Sequence, residues 1–353
     1  ESRWDAGYFH AIGLGALADE GFARIGTKVV APATPVGRLT VPAATDLGLK
    51  AGTTVAAALI DAHAGGLGTL GVTVSGQVAD PTQRLAYIFG TSACSMVSTR
   101  SAAPVPGVWG PYFGAMLPDL WLNEGGQSAA GAALDHLIHL HRDAPALARE
   151  AEAQGRSLID YVADHARRLA THPSDTIRAA AELIVVPEFL GNRSPFAEPE
   201  ARAIISGLGM DRGIDSLAAL YLAGLSGIGY GLRQLLDKLD ERGLRQSTVI
   251  VSGGAAQSAL VCQMLADSTG LAVALPKSQE PVLRGAAMLA AIACKVHPDV
   301  PSVMTSMSGE AQLFQPAGGD LAQLHLARYK AFTALQAAAR ELRPWARGAA
   351  MRH

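Results

Sequence analysis

The sequence predicts an α/β fold. Two observations carry the prediction: β-branched, strand-like runs alternate with long Ala- and Leu-rich stretches of helical spacing, and the strand candidates end in glycine clusters. At 353 residues the chain is long for one core and suits two lobes.

In chain order, residues 8–16 have helical spacing, and residues 34–42 are extended and broken by proline. Residues 54–60 form an apolar run that reads as a buried strand. The run ends on Asp61 and opens into a helix from about Ala64, so one carboxylate stands at a strand's carboxyl edge, where open α/β sheets keep their ligands. Residues 85–89 and 94–98 make a hairpin about the turn Gly90-Thr91-Ser92-Ala93. Helical spacing returns at 128–140, after Gly125-Gly126, and at the Leu-punctuated stretch 217–242. The β-branched run 247–251 is a strand, followed by the turn Ser252-Gly253-Gly254 and a helix over 258–269. Further helices are expected at 283–293 and at 321–342, the latter ending before Pro344 as an X-Pro boundary should. Residues 100–110 and 298–319 are candidate linkers, and no repeat of fixed period is present.

Composition excludes several classes. With 29 basic and 31 acidic side chains and a net charge of −2, the chain has no electrostatic footprint for nucleic acid and no basic run for a membrane surface. Its longest apolar stretches fall short of the ~20 residues of a membrane helix. Cys94, Cys262 and Cys294 form neither a disulfide framework nor a zinc pattern, which reads as cytoplasmic. The chain opens Glu1-Ser2-Arg3-Trp4 with no initiator Met and no signal-peptide pattern, which suggests a processed or truncated start.

Three turns carry the chemistry: Asp61 with its glycine-rich sequel, Gly90-Thr91-Ser92, and Ser252-Gly253-Gly254 leading into Ser258. Glycines let a phosphate approach the backbone, amides and hydroxyls donate to it, and a helix start adds favourable partial charge. Taken singly, Gly90-Thr91-Ser92 is also an ordinary hairpin turn and Asp61 also a helix N-cap. His63 either orients the Asp61 carboxylate or simply walls the pocket. Asp135, His136, His139 and His141 have spacing for a metal cluster, but a solvated helix face is the commoner fate, and no metal site is assigned. Neither Gly90-Thr91-Ser92-Ala93-Cys94 nor Gly126-Gln127-Ser128-Ala129-Ala130 completes a serine-hydrolase elbow. Trp109, Tyr112, Phe113 and Trp121 suit the wall of a sugar pocket or a homodimer contact, with core packing the commoner role. Cys94, in a strand, reads as core.

These residues resemble the FGGY carbohydrate kinases, members of the actin-like ATPase superfamily with its ribonuclease H-like fold. The resemblance rests on Ile60-Asp61-Ala62-His63-Ala64-Gly65-Gly66, on Gly90-Thr91-Ser92, on Val251-Ser252-Gly253-Gly254-Ala255-Ala256-Gln257-Ser258 and on Arg284-Gly285-Ala286-Ala287, and it runs over nearly the whole chain. Trp121-Leu122-Asn123-Glu124-Gly125-Gly126-Gln127-Ser128-Ala129 and Gly191-Asn192-Arg193-Ser194-Pro195 resemble the D-ribulokinase (pentulose kinase) branch. The resemblance implies phosphorylation of a small sugar or polyol, ribulose foremost, by ATP with Mg²⁺. It makes Asp61 the general base, with His63 beside it on the substrate side. Thr91, with Gly90 and Ser92, would hold the γ-phosphate, and Gly253, Gly254 and Ser258 would line the adenosine and its α-phosphate.

One departure bears on activity. Kinases of this family begin with an Asp-x-Gly-Thr hairpin on the phosphates, and no such motif occurs in this chain; Asp5-Ala6-Gly7-Tyr8 and Asp19-Glu20-Gly21-Phe22 lack the hydroxyl. Residues 1–75 are therefore expected to be the tail of a first, sugar-binding lobe and residues 76–353 a complete second, nucleotide-binding lobe. Apolar surface is expected where a first sheet would pack. The alternative to a kinase is a non-catalytic actin-like nucleotide-binding module or an inactive kinase fragment.

Overall fold

A seven-stranded mixed sheet organises the molecule in the computed structural model, which describes residues 3–74, 76, 80–277 and 280–350, the side chains of 255, 256, 347, 349 and 350 excepted. Its strands are β1 (Arg84–Phe89), β2 (Ala93–Thr99), β3 (Trp109–Phe113), β4 (Trp121–Gln127), β5 (Thr248–Ser252), β6 (Ala272–Pro276) and β7 (Ala311–Phe314). They lie in the order β7-β6-β5-β1-β2-β4-β3. The central three, β6, β5 and β1, are parallel, and the outer pairings are antiparallel. Helices cover both faces, so β1 is apolar and almost wholly buried rather than alternating.

On one face lie α1 (Asp61–Leu70) and α5 (Pro281–Ala293), with the short helix Val300–Met307 beside them. Leu67, Leu70, Met96, Ile250 and Met288 fill the layer beneath. The other face carries α2 (Gly131–His139), α3 (Gly213–Asp240) and α4 (Ala259–Thr269) over a larger core that includes Tyr87, Phe89, Leu134, Leu225 and Leu265. Helices α1 and α5 cross in backbone contact: a Cβ on Gly285 would collide with the Ala64 carbonyl, and one on Gly68 with the Pro281 carbonyl.

The direction of α1 follows from its two ends. Buried Arg84, at the start of β1, donates to the Leu70 carbonyl at 2.8 Å and the Val72 carbonyl at 2.6 Å, which satisfies carbonyls left open by the helix end. Gly65, one turn from the other end, sits against Ile88 near the end of β1. Helix α1 therefore runs antiparallel to β1, and Asp61 stands at the carboxyl end of the sheet.

Four expectations are corrected. The run 54–60 is not a buried strand: only Thr54–Ala56 is extended, paired in an isolated two-stranded ribbon with Pro35–Arg38, and Ile60 is 60% exposed because no layer covers it. The helix at 8–16 divides into Ala6–Ala11 and Gly15–Asp19, since Gly13 takes a left-handed φ of 80° between them. The linker 298–319 holds the helix Val300–Met307, whose first turn is capped by Asp299 accepting from the Ser302 amide at 2.8 Å, and strand β7. The last helix, Gly319–Ala350, continues through Pro344, tethered there by Arg340 and Arg343 on Glu198. The expected lobe boundary after residue 75 falls at residues 75 and 77–79, outside the described residues; α1, which precedes it, packs on the sheet that follows it. No helix among the described residues is long and apolar enough to cross a membrane.

Candidate active site

Strands β1 and β5 run parallel with Ile88 opposite Ser252, so the turns that follow them leave the sheet side by side. Gly253 has φ 100°, and a Cβ there would strike the Phe89 carbonyl; only glycine lets the two turns come this close. The amides of Ala130 and Ala132 donate to the Thr91 carbonyl at 2.9 and 3.1 Å, and that of Gly131 to the Gly90 carbonyl at 2.9 Å. The start of α2 thus holds the Gly90–Ser92 turn by its carbonyls. The turn's own Thr91 and Ser92 amides have no acceptor among the described residues. A cleft of about 1170 Å³ opens above, lined by Gly90, Thr91, Gly254 and Ser258, with Arg156 and Arg167 across from them. Four of the six residues expected to bind nucleotide line this cleft, and Ser92 and Gly253 adjoin them in the chain. The side chains of Ala255 and Ala256, part of the same motif, lie outside the described residues.

Asp61 occupies the first turn of α1, where the helix end favours a negative charge. It is exposed, and its Oδ1 accepts from the Ala62 amide at 2.7 Å. It is not the N-cap, a position held by Ile60. His63 is 9% exposed. Its Nδ1 lies 3.0 Å from the Ala115 carbonyl and its Nε2 3.2 Å from Glu124 Oε2, so both ring nitrogens are engaged away from Asp61, which fits the pocket-wall reading of the two left open by the sequence.

The segments 121–129 and 191–195, far apart in sequence, meet at this end of the sheet. Met96 pairs with Glu124 and Cys94 with Gly126 across β2 and β4, and Arg193 Nη1 reaches Cys94 Sγ at 3.9 Å. Burial, above all, pushes the Cys94 thiol above its ordinary value; Arg193 opposes this, while the charges of Glu124 and Asp61 add to it. Cys94 is therefore only half-buried, within range of the Asp61 charge, rather than plain core.

Sequence reasoning did not assign Glu124 or Arg193 a role. Their signal was the presence of two uncommon polar motifs, but nothing in the spacing says that they converge. The aromatic residues are not core either: Trp109, Tyr112 and Phe113 are 48%, 46% and 61% exposed, because β3 is an edge strand. Around α2, His136 packs edge-on against Phe189, His139 faces Asp135 at 3.7 Å and His141 reaches Ser216 at 2.9 Å. The described residues contain no group of three that could hold a metal there.

Known proteins resemble this chain over most of its length. The C-terminal domain of the FGGY family of carbohydrate kinases matches residues 85–294. An FGGY carbohydrate kinase domain-containing protein of Danio rerio is 41% identical over 94% of this chain and 62% of its own length. A D-ribulokinase of Saccharomyces cerevisiae is 31% identical over 82% of this chain and 44% of its own. The crystal structure of a xylulose kinase from Brucella ovis superposes with a TM-score of 0.73 at 22% identity, covering 96% of this chain and 62% of that one. The mixed sheet with helices on both faces is thus the actin-like ATPase fold of such kinases. The chain spans about three-fifths or less of the length of these relatives.

Proposed function

The chain belongs to the FGGY family of carbohydrate kinases, and from that premise we propose that it serves ATP-dependent phosphorylation of a ketopentose, ribulose foremost, or of a related polyol, with Asp61 as general base. The observation that carries the reading is convergence: the cleft at Thr91 and Gly254 and the exposed carboxylate of Asp61 stand at the same end of one sheet.

In this reading the nucleotide occupies the cleft beside α2, close to the glycine backbone at Gly90, Gly253 and Gly254. The Thr91 hydroxyl and the two free turn amides donate to its terminal phosphate, and Ser258 lies toward the nucleoside. Across the turn, Asp61 accepts the proton of the attacking hydroxyl, and its exposure leaves room for a sugar. The part-buried His63–Glu124 pair forms a polar wall on the acceptor side. Mg²⁺ takes few protein ligands and many from phosphates, so it would be held chiefly by the nucleotide in the cleft, leaving Asp61 to act as the base. When bound, that ion offsets charge on the phosphates during transfer.

Residues 1–75 are read as the tail of a first, sugar-binding lobe and residues 76–353 as the nucleotide lobe. In support, 12 of the 24 exposed large apolar side chains among the described residues fall between Trp4 and Ile60, a surface suited to packing against further protein. Three cysteines free of disulfides support a cytoplasmic setting. That same apolar surface favours a second reading, a module that binds nucleotide without phosphorylating sugar. Sugar-dependent ADP release over a panel of ketoses and polyols separates the two. It is measured on this chain and on one as long as the relatives: turnover with a ketopentose supports the kinase, and nucleotide binding without turnover in either supports the module.

A further inference from the structure

We propose that Arg193 is a phosphate-monoester subsite on the acceptor side of the site, gripping the phosphoryl group once it stands on the sugar. The proposal rests on the kinase reading above and deepens it.

The loop that presents Arg193 is fixed. Asn192 and Glu198 exchange backbone hydrogen bonds of 2.8 Å each way, the Asn192 side chain accepts from the Phe196 amide at 3.0 Å, and it donates to Glu188 at 2.6 Å. The Pro195 carbonyl occupies the space that a side chain on Gly107 would need. So held, the guanidinium lies over the Trp109 ring, Cζ 5.6 Å from its centroid, with Nη1 at Cys94 Sγ.

Its hydrogen-bonding capacity is unspent. A guanidinium carries five N–H donors in a planar fork that matches phosphate oxygens, yet among the described residues its polar contact is one weak sulfur acceptor. Glu124, whose charge acts on the same Cys94, faces His63 at 3.2 Å. Placement then decides between the two anions of the reaction. Cys94 and Met96 point to the α1 face, as Asp61 does, whereas the nucleotide cleft lies on the α2 face and has Arg156 and Arg167 of its own. A neutral sugar has no need of a half-buried cation, and a dianionic sugar phosphate does.

Cys94 gives a readout independent of turnover. In the full-length protein carrying Cys294→Ser, the rate of Cys94 alkylation by iodoacetamide, located by mass spectrometry, is measured with inorganic phosphate or ribulose 5-phosphate at millimolar concentration. We expect at least fivefold protection in the parent, none in Arg193→Gln and partial protection in Arg193→Lys. In sugar-dependent ADP release, Arg193→Gln should raise the inhibition constant of the sugar phosphate at least tenfold and leave the KM for ATP within twofold. Equal protection of Arg193→Gln and the parent, or none in the parent from either anion, overturns the subsite. Protection that depends on Arg193 in a protein without sugar-dependent turnover would uphold the subsite and refute the kinase.

Discussion

His63 Nε2 and Glu124 Oε2 face each other at 3.2 Å, 61 residues apart in sequence, and join α1 to β4. The other ring nitrogen faces the Ala115 carbonyl, which can only accept, so Nδ1 carries a proton. Removing either partner leaves a nearly buried polar group unsatisfied. Glu124→Ala and His63→Ala should each lower unfolding free energy by about 1–3 kcal/mol, and the double mutant by less than their sum, with a coupling of about 0.5–3 kcal/mol. Denaturant titration of the four proteins checks this; strict additivity would mean that the two side chains do not act together.

Gly285 sets how near α1 lies to α5, and hence where Asp61 stands. In Gly285→Ala the added methyl meets the Ala64 carbonyl, so α1 must shift. The expected cost is about 1–3 kcal/mol of stability and a fall in turnover of about 100-fold, as a displacement near 1 Å at a reacting group commonly brings. The KM for ATP should stay within twofold, because the cleft is built on the opposite face. Gly253→Ala should do the reverse, weakening ATP binding by prising the two turns apart. Steady-state kinetics of the two variants separates the effects.

His325 makes stability depend on pH. It is 1% exposed, its Nδ1 lies 2.9 Å from the Tyr230 hydroxyl, and its Nε2 has no partner among the described residues. Burial, aided by the charges of Arg328 and Arg233, pushes its pKa down from 6.5 to about 4. The unfolded chain therefore takes up a proton as pH falls through 6.5, whereas the folded one does so only near 4. Between these values stability should drop by about 3 kcal/mol on this account. Urea titrations at pH 7, 5.5 and 4 should show a steeper loss for the parent than for His325→Gln; parallel curves would contradict it.

Much of the sheet was legible because its signals are local. Residues 85–98 carry an apolar run, a Gly-Thr-Ser turn and a second run, and they fold as the expected hairpin. The turn after β5 was readable for the same reason. The run before Asp61 misled because apolar composition marks what wants to be buried and says nothing of whether a layer covers it. Glu124 and Arg193 could not be placed from sequence, since their meeting depends on the register of β4 against β2 and on a loop closed by Asn192. Pro344 was read as a stop, yet one lost hydrogen bond is tolerated where two arginines tether the helix to Glu198.

The reading rests most heavily on Asp61, and Asp61→Asn in the full-length protein addresses it directly. The change keeps shape and removes the proton acceptor, so sugar-dependent turnover should fall by about 10²–10⁴, or about 3–5 kcal/mol in the barrier. ATP affinity, measured by calorimetry on the same sample, should stay within twofold. A variant that phosphorylates sugar at near-parent rates would contradict the assignment of Asp61 as the base.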